Sequence, residues 1–223
     1  MCASPDTIRE IMIQAHELNF DNGEYVFFNI DLFSSQNATA HAWHRAEDSE
    51  ERNAQARAAY ESLMTVSLRK PTSDAYEEFS QEVRDKSATM DKNFTAVEEE
   101  VNSFVGAFHD AIILYALALN DTIEAGGDIS DGHSITARMW NRSFSGITGT
   151  VSIDRNGDRN VDYSLLDLNT DTETFEVVAD YFGNNKQYTA YRDRKIRWAA
   201  GRAGPPPDTP VCGFDNSKCP PKG

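Results

Sequence analysis

Two pairs of residues have the types and spacing that a metal site or a catalytic dyad would need. His41 and His44 are separated by two residues, but a third ligand and a helical context are missing from their segment. His109 and Asp110 are adjacent within a helical pattern, where neighbours i and i+1 do not face each other. We therefore predict neither a metal site nor a dyad, and expect one residue of the second pair to satisfy a buried polar group.

Acidic and amide side chains after position 153 have the composition of a calcium loop: Asp154, Asn156, Asp158 and Asp162. An EF-hand loop that began at Asp154 would need glycine and glutamate where this sequence has Arg159 and Leu165, so the motif fails. A hairpin turn at Asn156-Gly157 explains the composition better. Nucleophile-elbow, phosphate-loop, dinucleotide and Cys-x-x-Cys motifs are also missing, so we predict no catalytic residue and no cofactor.

The charge of the chain narrows the class of partner. The 223 residues carry a net charge of -15, with 39% hydrophobic and 26% charged residues, as is usual for a folded soluble domain. An acidic surface argues against nucleic acid as a partner. It suits a basic peptide, and it is explained equally well by solubility alone.

Four Asn-X-Ser/Thr sequons favour the secretory pathway, and they begin at Asn37, Asn93, Asn120 and Asn141. The first residues form no signal peptide, and the most apolar stretch, 104–119, contains His109 and Asp110 and is too short for a membrane span. We interpret the missing signal as the loss of an N-terminal half.

The three cysteines fit an extracellular setting. Cys212 and Cys219 lie close together in a proline-rich tail and could close a small loop. Cys2 is then left over, either because its partner lies in a lost upstream segment or because it is a buried free thiol.

Hydrophobic periodicity predicts an α/β order of elements. Helices are expected at 5–19, capped by Ser4, and at 73–90, 101–123 and 132–141. A buried parallel strand is expected at 25–31 and a second strand at 63–68, with an exposed excursion at 33–55 in which a helical turn is allowed. Hairpin strands follow at 150–154, 160–168, 175–182 and 187–191 as a β-rich addition, and Phe108 and Tyr115 are assigned to the core.

Several motifs resemble the natriuretic peptide receptor ectodomains, which share the type I periplasmic-binding-protein fold. They are FHDAIILY at 108–115, MWNRSF at 139–144 with GITG at 146–149, and IDRNGDR at 153–159. The similarity covers nearly the whole chain and is weakest at 33–60. The tail, with PPPD at 205–208, CGFDN at 212–216 and Cys219, resembles the branch whose members carry a guanylate cyclase.

The resemblance implies the C-terminal half of a hormone-binding region, with a partial three-layer fold of helices on a parallel sheet and C-terminal hairpins. It implies one lobe at 1–95, a crossing to the other lobe at 96–168, return strands at 169–203 and a juxtamembrane tail at 204–223. It also implies a Cys212–Cys219 disulfide and, for Cys2, half of a lost bridge. The family's hormone contacts come mainly from the N-terminal half, so no ligand-binding residue is assigned.

For the intact protein, the resemblance implies a homodimeric, single-pass receptor at the extracellular face of the plasma membrane. A peptide hormone would bind outside, and an intracellular cyclase would make cyclic GMP. Two alternatives stay open. One is a soluble or clearance-type binding module of the same fold without a cyclase, and the other is a metal-dependent hydrolase that uses His41 and His44.

Overall fold

Helices and strands alternate along the chain in this computed structural model, which describes residues 1–34, 39–90, 101–209, 212–215 and 217–219. The helices are α1 (Pro5–Glu17), α2 (Glu50–Tyr60), α3 (Asp74–Met90), α4 (Ser103–Glu124) and α5 (Gly132–Met139), with a 3-10 turn at Ala199–Gly201. The strands are β1 (Phe27–Ile30), β2 (Leu63–Leu68), β3 (Ser143–Gly146), β4 (Gly149–Ile153), β5 (Arg159–Asn160), β6 (Tyr163–Asn169), β7 (Thr174–Phe182) and β8 (Gln187–Ala190).

The strands form two sheets, one with the order β1-β2-β6-β7-β8 and one with the order β3-β4-β5. β1 and β2 are parallel, with Phe27 opposite Leu63 and Ile30 opposite Val66. The short connections 170–173 and 183–186 permit only antiparallel pairing of β6 with β7 and of β7 with β8. The α/β class and the C-terminal hairpins are confirmed. The larger sheet is mixed, however, and β6, β7 and β8 extend it, whereas the β4–β5 hairpin belongs to the smaller, separate sheet.

The described chain divides into two compact units. Unit 1 comprises Met1–Ser67, Ser164–Ala179 and Thr189–Gly223, and unit 2 comprises Leu68–Tyr163 and Asp180–Tyr188. The units are defined by contacts within this chain and not by the lobes of a receptor. The lobe ranges expected from the resemblance therefore stay predictions.

The core of unit 1 lies where α1 and α2 meet the sheet. The helix predicted at 5–19 is confirmed, and the N–H of Thr7 donates to the Ser4 hydroxyl at 3.3 Å, as an N-cap does. Apolar side chains from both helices, β2, β6 and β7 pack in one cluster: Ile8, Met12, Ile13, Trp43, Ala56, Ala59, Tyr60, Leu63, Leu166, Leu168 and Phe175. This cluster is the main hydrophobic stabilisation of the unit.

A buried cation anchors the segment before α2. Arg9 donates to the carbonyl of Trp43 at 2.7 Å, to the Asp48 carboxylate at 2.6 Å and to the Asn53 side chain at 2.9 Å. The Trp43 indole is buried and donates to the carbonyl of Glu173 at 2.9 Å. The prediction of an exposed excursion at 33–55 is therefore wrong around Trp43. It allowed only a helical turn where α2 lies, and the buried residues of α2 are Asn53, Ala56, Ala59 and Tyr60.

Two other predictions fail locally. The strand predicted at 25–31 is parallel but not buried, because β1 is an edge strand and Phe28 is 50% exposed. The strand predicted at 160–168 is divided between β5 and β6. At the break, the Asp162 carbonyl accepts from the N–H of Arg69 at 2.9 Å, and its carboxylate accepts from the N–H of Gly183 at 3.0 Å.

Candidate functional site

The motifs behind the family resemblance meet in unit 2, where the carboxylate of Asp110 on α4 binds the β3–β4 turn. Asp110 is 1% exposed and accepts from the backbone N–H groups of Ile147 at 2.7 Å and Thr148 at 3.1 Å. It also accepts from the Thr148 hydroxyl. The expectation that His109 or Asp110 satisfies a buried polar group is thus confirmed for Asp110.

Gly146 lets the turn approach this carboxylate. A Cβ atom at position 146 would lie 2.5 Å from Cγ of Asp110, which is closer than real Cβ contacts allow. Gly146 is therefore required by close approach to the carboxylate rather than by an unusual backbone angle.

Hydrogen bonding decides the charge of Asp110. Burial raises the pKa of this carboxyl, but the hydrogen bonds from Thr148, Ile147 and His109 outweigh that effect, so its pKa lies below the usual value. His109 Nδ1 lies 3.2 Å from the carboxylate, and the His109 ring packs edge-on against Phe79 with centroids 5.2 Å apart. The prediction that neighbours on the helix would not meet is therefore wrong for this pair. Asp110 is nonetheless buried, and its carboxylate oxygens already accept hydrogen bonds from the β3–β4 turn, so its role is structural.

Two arginines complete the cluster, and the sequence analysis missed them. Arg142 and Arg159 both lie beside Ile153 in the small sheet, since Ile153 donates its N–H to the Arg142 carbonyl and pairs with Arg159. Arg142 forms an ion pair with Asp121, and Arg159 donates to the Thr148 hydroxyl at 2.7 Å. One signal was present. Asp110 and Asp121 are eleven residues apart, about three helical turns, and therefore share a face of α4.

The acidic loop at 154–158 is a hairpin turn, as predicted. The Asp154 carboxylate accepts from the N–H of Asn156 at 2.8 Å and of Asp158 at 2.9 Å, and Gly157 has a φ of 87°. The carboxylate is therefore engaged with its own backbone.

His41 and His44 are both exposed in unit 1. Across the described ranges, no group of three or more His, Cys, Asp or Glu side chains is placed to hold a metal ion.

The outer face of α4 reverses the usual pattern of an amphipathic helix. Its buried residues are small or polar: Gly106, Asp110, Ala118 and Thr122. Large apolar side chains face outward instead, and Phe108 is 70% and Ile112 68% exposed. The assignment of Phe108 and Tyr115 to the core is therefore wrong in this structure.

By length and composition alone, α4 would reach across a membrane, with a mean hydropathy of 1.4 over its most apolar 18 residues. The stretch 104–119, predicted to be too short for a membrane span, is only part of this helix. The core helix of a soluble protein passes the same test, but only 17% of this stretch is buried. The contacts of Asp110 attach α4 to the β3–β4 turn.

The candidate glycosylation asparagines lie at the surface wherever the structure describes them. Asn120 and Asn141 are exposed, and the Asn120 amide donates to Glu124 at 2.9 Å. The sequon residues Asn37 and Asn93 lie outside the described residues. Cys212 and Cys219 form a disulfide, while Cys2 is exposed with a free thiol.

Comparison with known proteins places these features in one family. A family model described as "Receptor family ligand binding region" matches residues 1–171. A receptor-type guanylate cyclase of Caenorhabditis elegans is 48% identical over 99% of this chain. Atrial natriuretic peptide receptor 3 of Homo sapiens is 43% identical over 89% of the chain, and atrial natriuretic peptide receptor 2 of Homo sapiens is 34% identical over 96%.

The chain corresponds to a minor part of each relative. It spans 17% of the cyclase, 36% of receptor 3 and 21% of receptor 2. The similarity therefore concerns the ligand-binding region. It does not extend to the activity of the whole proteins.

Proposed function

The chain belongs to the family of receptor ligand-binding regions, and on that basis we propose that it is the C-terminal half of the hormone-binding region of a natriuretic-peptide-type receptor. The observation that supports this proposal most directly is the 48% identity with a receptor-type guanylate cyclase over 99% of the chain. The proposed ligand of the intact receptor is a peptide hormone. A net charge of -15 suits a basic one.

In this proposal the chain contributes scaffold and signal transmission rather than catalysis. The carboxylate that carries the family resemblance, Asp110, is buried and saturated with donors, which supports a structural role. No cofactor is required. The intact protein would be a homodimer on the extracellular face of the plasma membrane, with the disulfide-closed tail next to the membrane.

We favour a receptor that carries a guanylate cyclase. The alignment with the cyclase covers 99% of the chain and so includes the tail with Cys212 and Cys219. The alternative is a soluble or clearance-type binding module without a cyclase. It is supported by the 43% identity with atrial natriuretic peptide receptor 3, because the chain spans 36% of that relative but 17% of the cyclase, so that relative is much the shorter protein.

Cyclic GMP in intact cells distinguishes the two forms. The full-length protein is expressed in cells that lack natriuretic peptide receptors, and the cells are then given ring-closed natriuretic-type peptides. A dose-dependent rise in cyclic GMP is expected, with vector-only cells as the control. Saturable peptide binding without cyclic GMP would contradict the cyclase and favour the alternative.

A further inference from the structure

A basic segment interrupts the acidic surface of unit 1. Residues 192–202 hold five cations against one anion, a net charge of +4 within a chain of -15: Arg192, Arg194, Lys195, Arg197 and Arg202, with Asp193. Such a short Lys/Arg-rich run is typical of segments that bind heparin-like or other polyanions. We call residues 192–202 the basic segment.

Arg197 fixes the basic segment to the fold. Its backbone N–H donates to the buried carboxylate of Asp167 at 2.7 Å. Its guanidinium contacts Glu176 at 3.0 Å and Asp171 at 3.3 Å. Arg197 is therefore neutralised internally, and its contacts hold the backbone of the segment in place.

Arg194 is also held in place, but by neutral groups. Its Nη1 donates to the carbonyl of Val177 at 3.2 Å, and its guanidinium lies 5.5 Å from the centroid of the Tyr191 ring. Neither contact neutralises the charge. Arg194 thus presents a positioned cation at the surface.

Three further cations are exposed and have no acidic partner within the described part of the chain: Arg192, Lys195 and Arg202. Arg194, Lys195 and Arg202 line one open cleft beside Trp198. The acids in the same cleft are Glu61, Asp193 and Glu176, and Glu176 is already paired with Arg197. Positive charge is therefore in excess there.

We propose that the basic segment binds a sulfated polysaccharide of the extracellular matrix. Sulfate groups repeated along a flexible chain match guanidinium and ammonium groups that are spread over an exposed segment. The acidic remainder of the protein repels polyanions, which confines binding to this segment. Within the basic segment Ile196 and Trp198 are half-buried, so residues 192–202 offer no large exposed apolar side chain for insertion into a lipid surface. This inference rests on the proposed function in one respect, the extracellular location of the basic segment.

Heparin chromatography of the full-length protein, solubilised in a non-ionic detergent, tests the proposal. At about 0.1 M salt, where the Debye length is about 10 Å, the wild type is expected to be retained and to elute with added NaCl. The triple variant Arg192→Glu, Lys195→Glu, Arg202→Glu should lose retention and flow through. The triple variant Lys86→Glu, Arg138→Glu, Arg155→Glu changes the net charge equally at exposed positions elsewhere and should elute with the wild type.

Four outcomes would overturn the proposal. They are flow-through of the wild type, equal loss of retention in both triple variants, equal retention on unsulfated hyaluronan, and binding to phosphatidylserine vesicles without binding to heparin. Labelled peptide binding is measured on the same variants. A wild type that is retained on heparin but binds no labelled peptide would count against the proposed function and leave this inference intact.

Discussion

Asp110 in unit 2 and Asp167 in unit 1 are both 1% exposed, yet their surroundings move their pKa values in opposite directions. Burial raises the pKa of Asp167 to about 6, since the N–H of Arg197 and a few weaker interactions only partly offset the desolvation. Asp110 is desolvated too, but donors from the β3–β4 turn and His109 bring its pKa below the usual value. Asp167 is surrounded by more protein and has no side-chain donor, and both differences favour its neutral form.

The difference separates two kinds of attachment. Asp110 stays ionised and ties the β3–β4 turn to α4. Asp167 ties the basic segment to unit 1 through a carboxyl that is costly to ionise. Substitutions at and around these two residues test this contrast.

The largest expected effect is at Asp110. Asp110→Ala leaves the buried N–H groups of Ile147 and Thr148 without acceptors, so the free energy of unfolding should fall by about 4 kcal/mol. Urea unfolding of the extracellular region measures it. Asp110→Asn keeps one acceptor oxygen and should lose about half as much. A loss under about 1 kcal/mol for the alanine variant would contradict the role given to this carboxylate.

The contribution of Asp167 to stability should depend on pH with the opposite sign to that of Asp110. Its folded-state pKa lies above the ordinary value of 3.8, so the protonated form favours folding below about pH 4. That contribution is lost as the pH rises through about 6, and its size is about 3 kcal/mol. The stability of the wild type relative to Asp167→Asn should therefore fall by that amount between pH 4 and pH 7.5, as measured by urea unfolding. A pH-independent difference would show that Asp167 is solvated.

Gly146 tests how closely the turn approaches Asp110. Gly146→Ala places a methyl group 2.5 Å from Cγ of the carboxylate and should cost about 2 kcal/mol. Gly132→Ala in the same unit is the control, because nothing lies within 4 Å of its added Cβ. Melting temperatures of the two variants should differ clearly. Equal values would mean that the turn can move away from Asp110 without loss.

The smallest effect is expected on the outer face of α4. Phe108 is 70% exposed, so Phe108→Gln should change the stability of the 223-residue chain by less than about 0.5 kcal/mol. Ala118→Gln is the contrast, because Ala118 is fully buried on the inner face. Chemical unfolding of both variants gives the comparison. A loss above about 2 kcal/mol for Phe108→Gln would mean that this face is covered.

Periodicity predicted the existence and limits of α4 but not which face is buried. Apolar residues at intervals of three and four were assigned to the core, whereas the buried stripe of Gly106, Asp110, Ala118 and Thr122 is small and polar. That choice depends on Arg142 and the β3–β4 turn, which no local pattern in α4 encodes. For a related reason the extent of α2 was not predicted, since only Tyr60 among its buried residues is large and the others, such as Asn53 and Ala56, give no apolar stripe.

Local turn and cap chemistry was more predictable. The cap at Ser4 and the hairpin at Asn156-Gly157 follow from backbone requirements that neighbouring residues satisfy. Asp167 and Arg197 lie 30 residues apart and meet only through the order of strands in the sheet. Contacts of that kind cannot be read from single-chain periodicity.

Peptide binding on intact cells tests the central claim, that the chain is part of a hormone receptor's extracellular region. Cells expressing the full-length protein are incubated with a radiolabelled ring-closed natriuretic-type peptide, with and without excess unlabelled peptide. The account predicts saturable, displaceable binding at the cell surface that vector-only cells lack. Surface display of the protein without any displaceable binding, across a panel of such peptides, would contradict it.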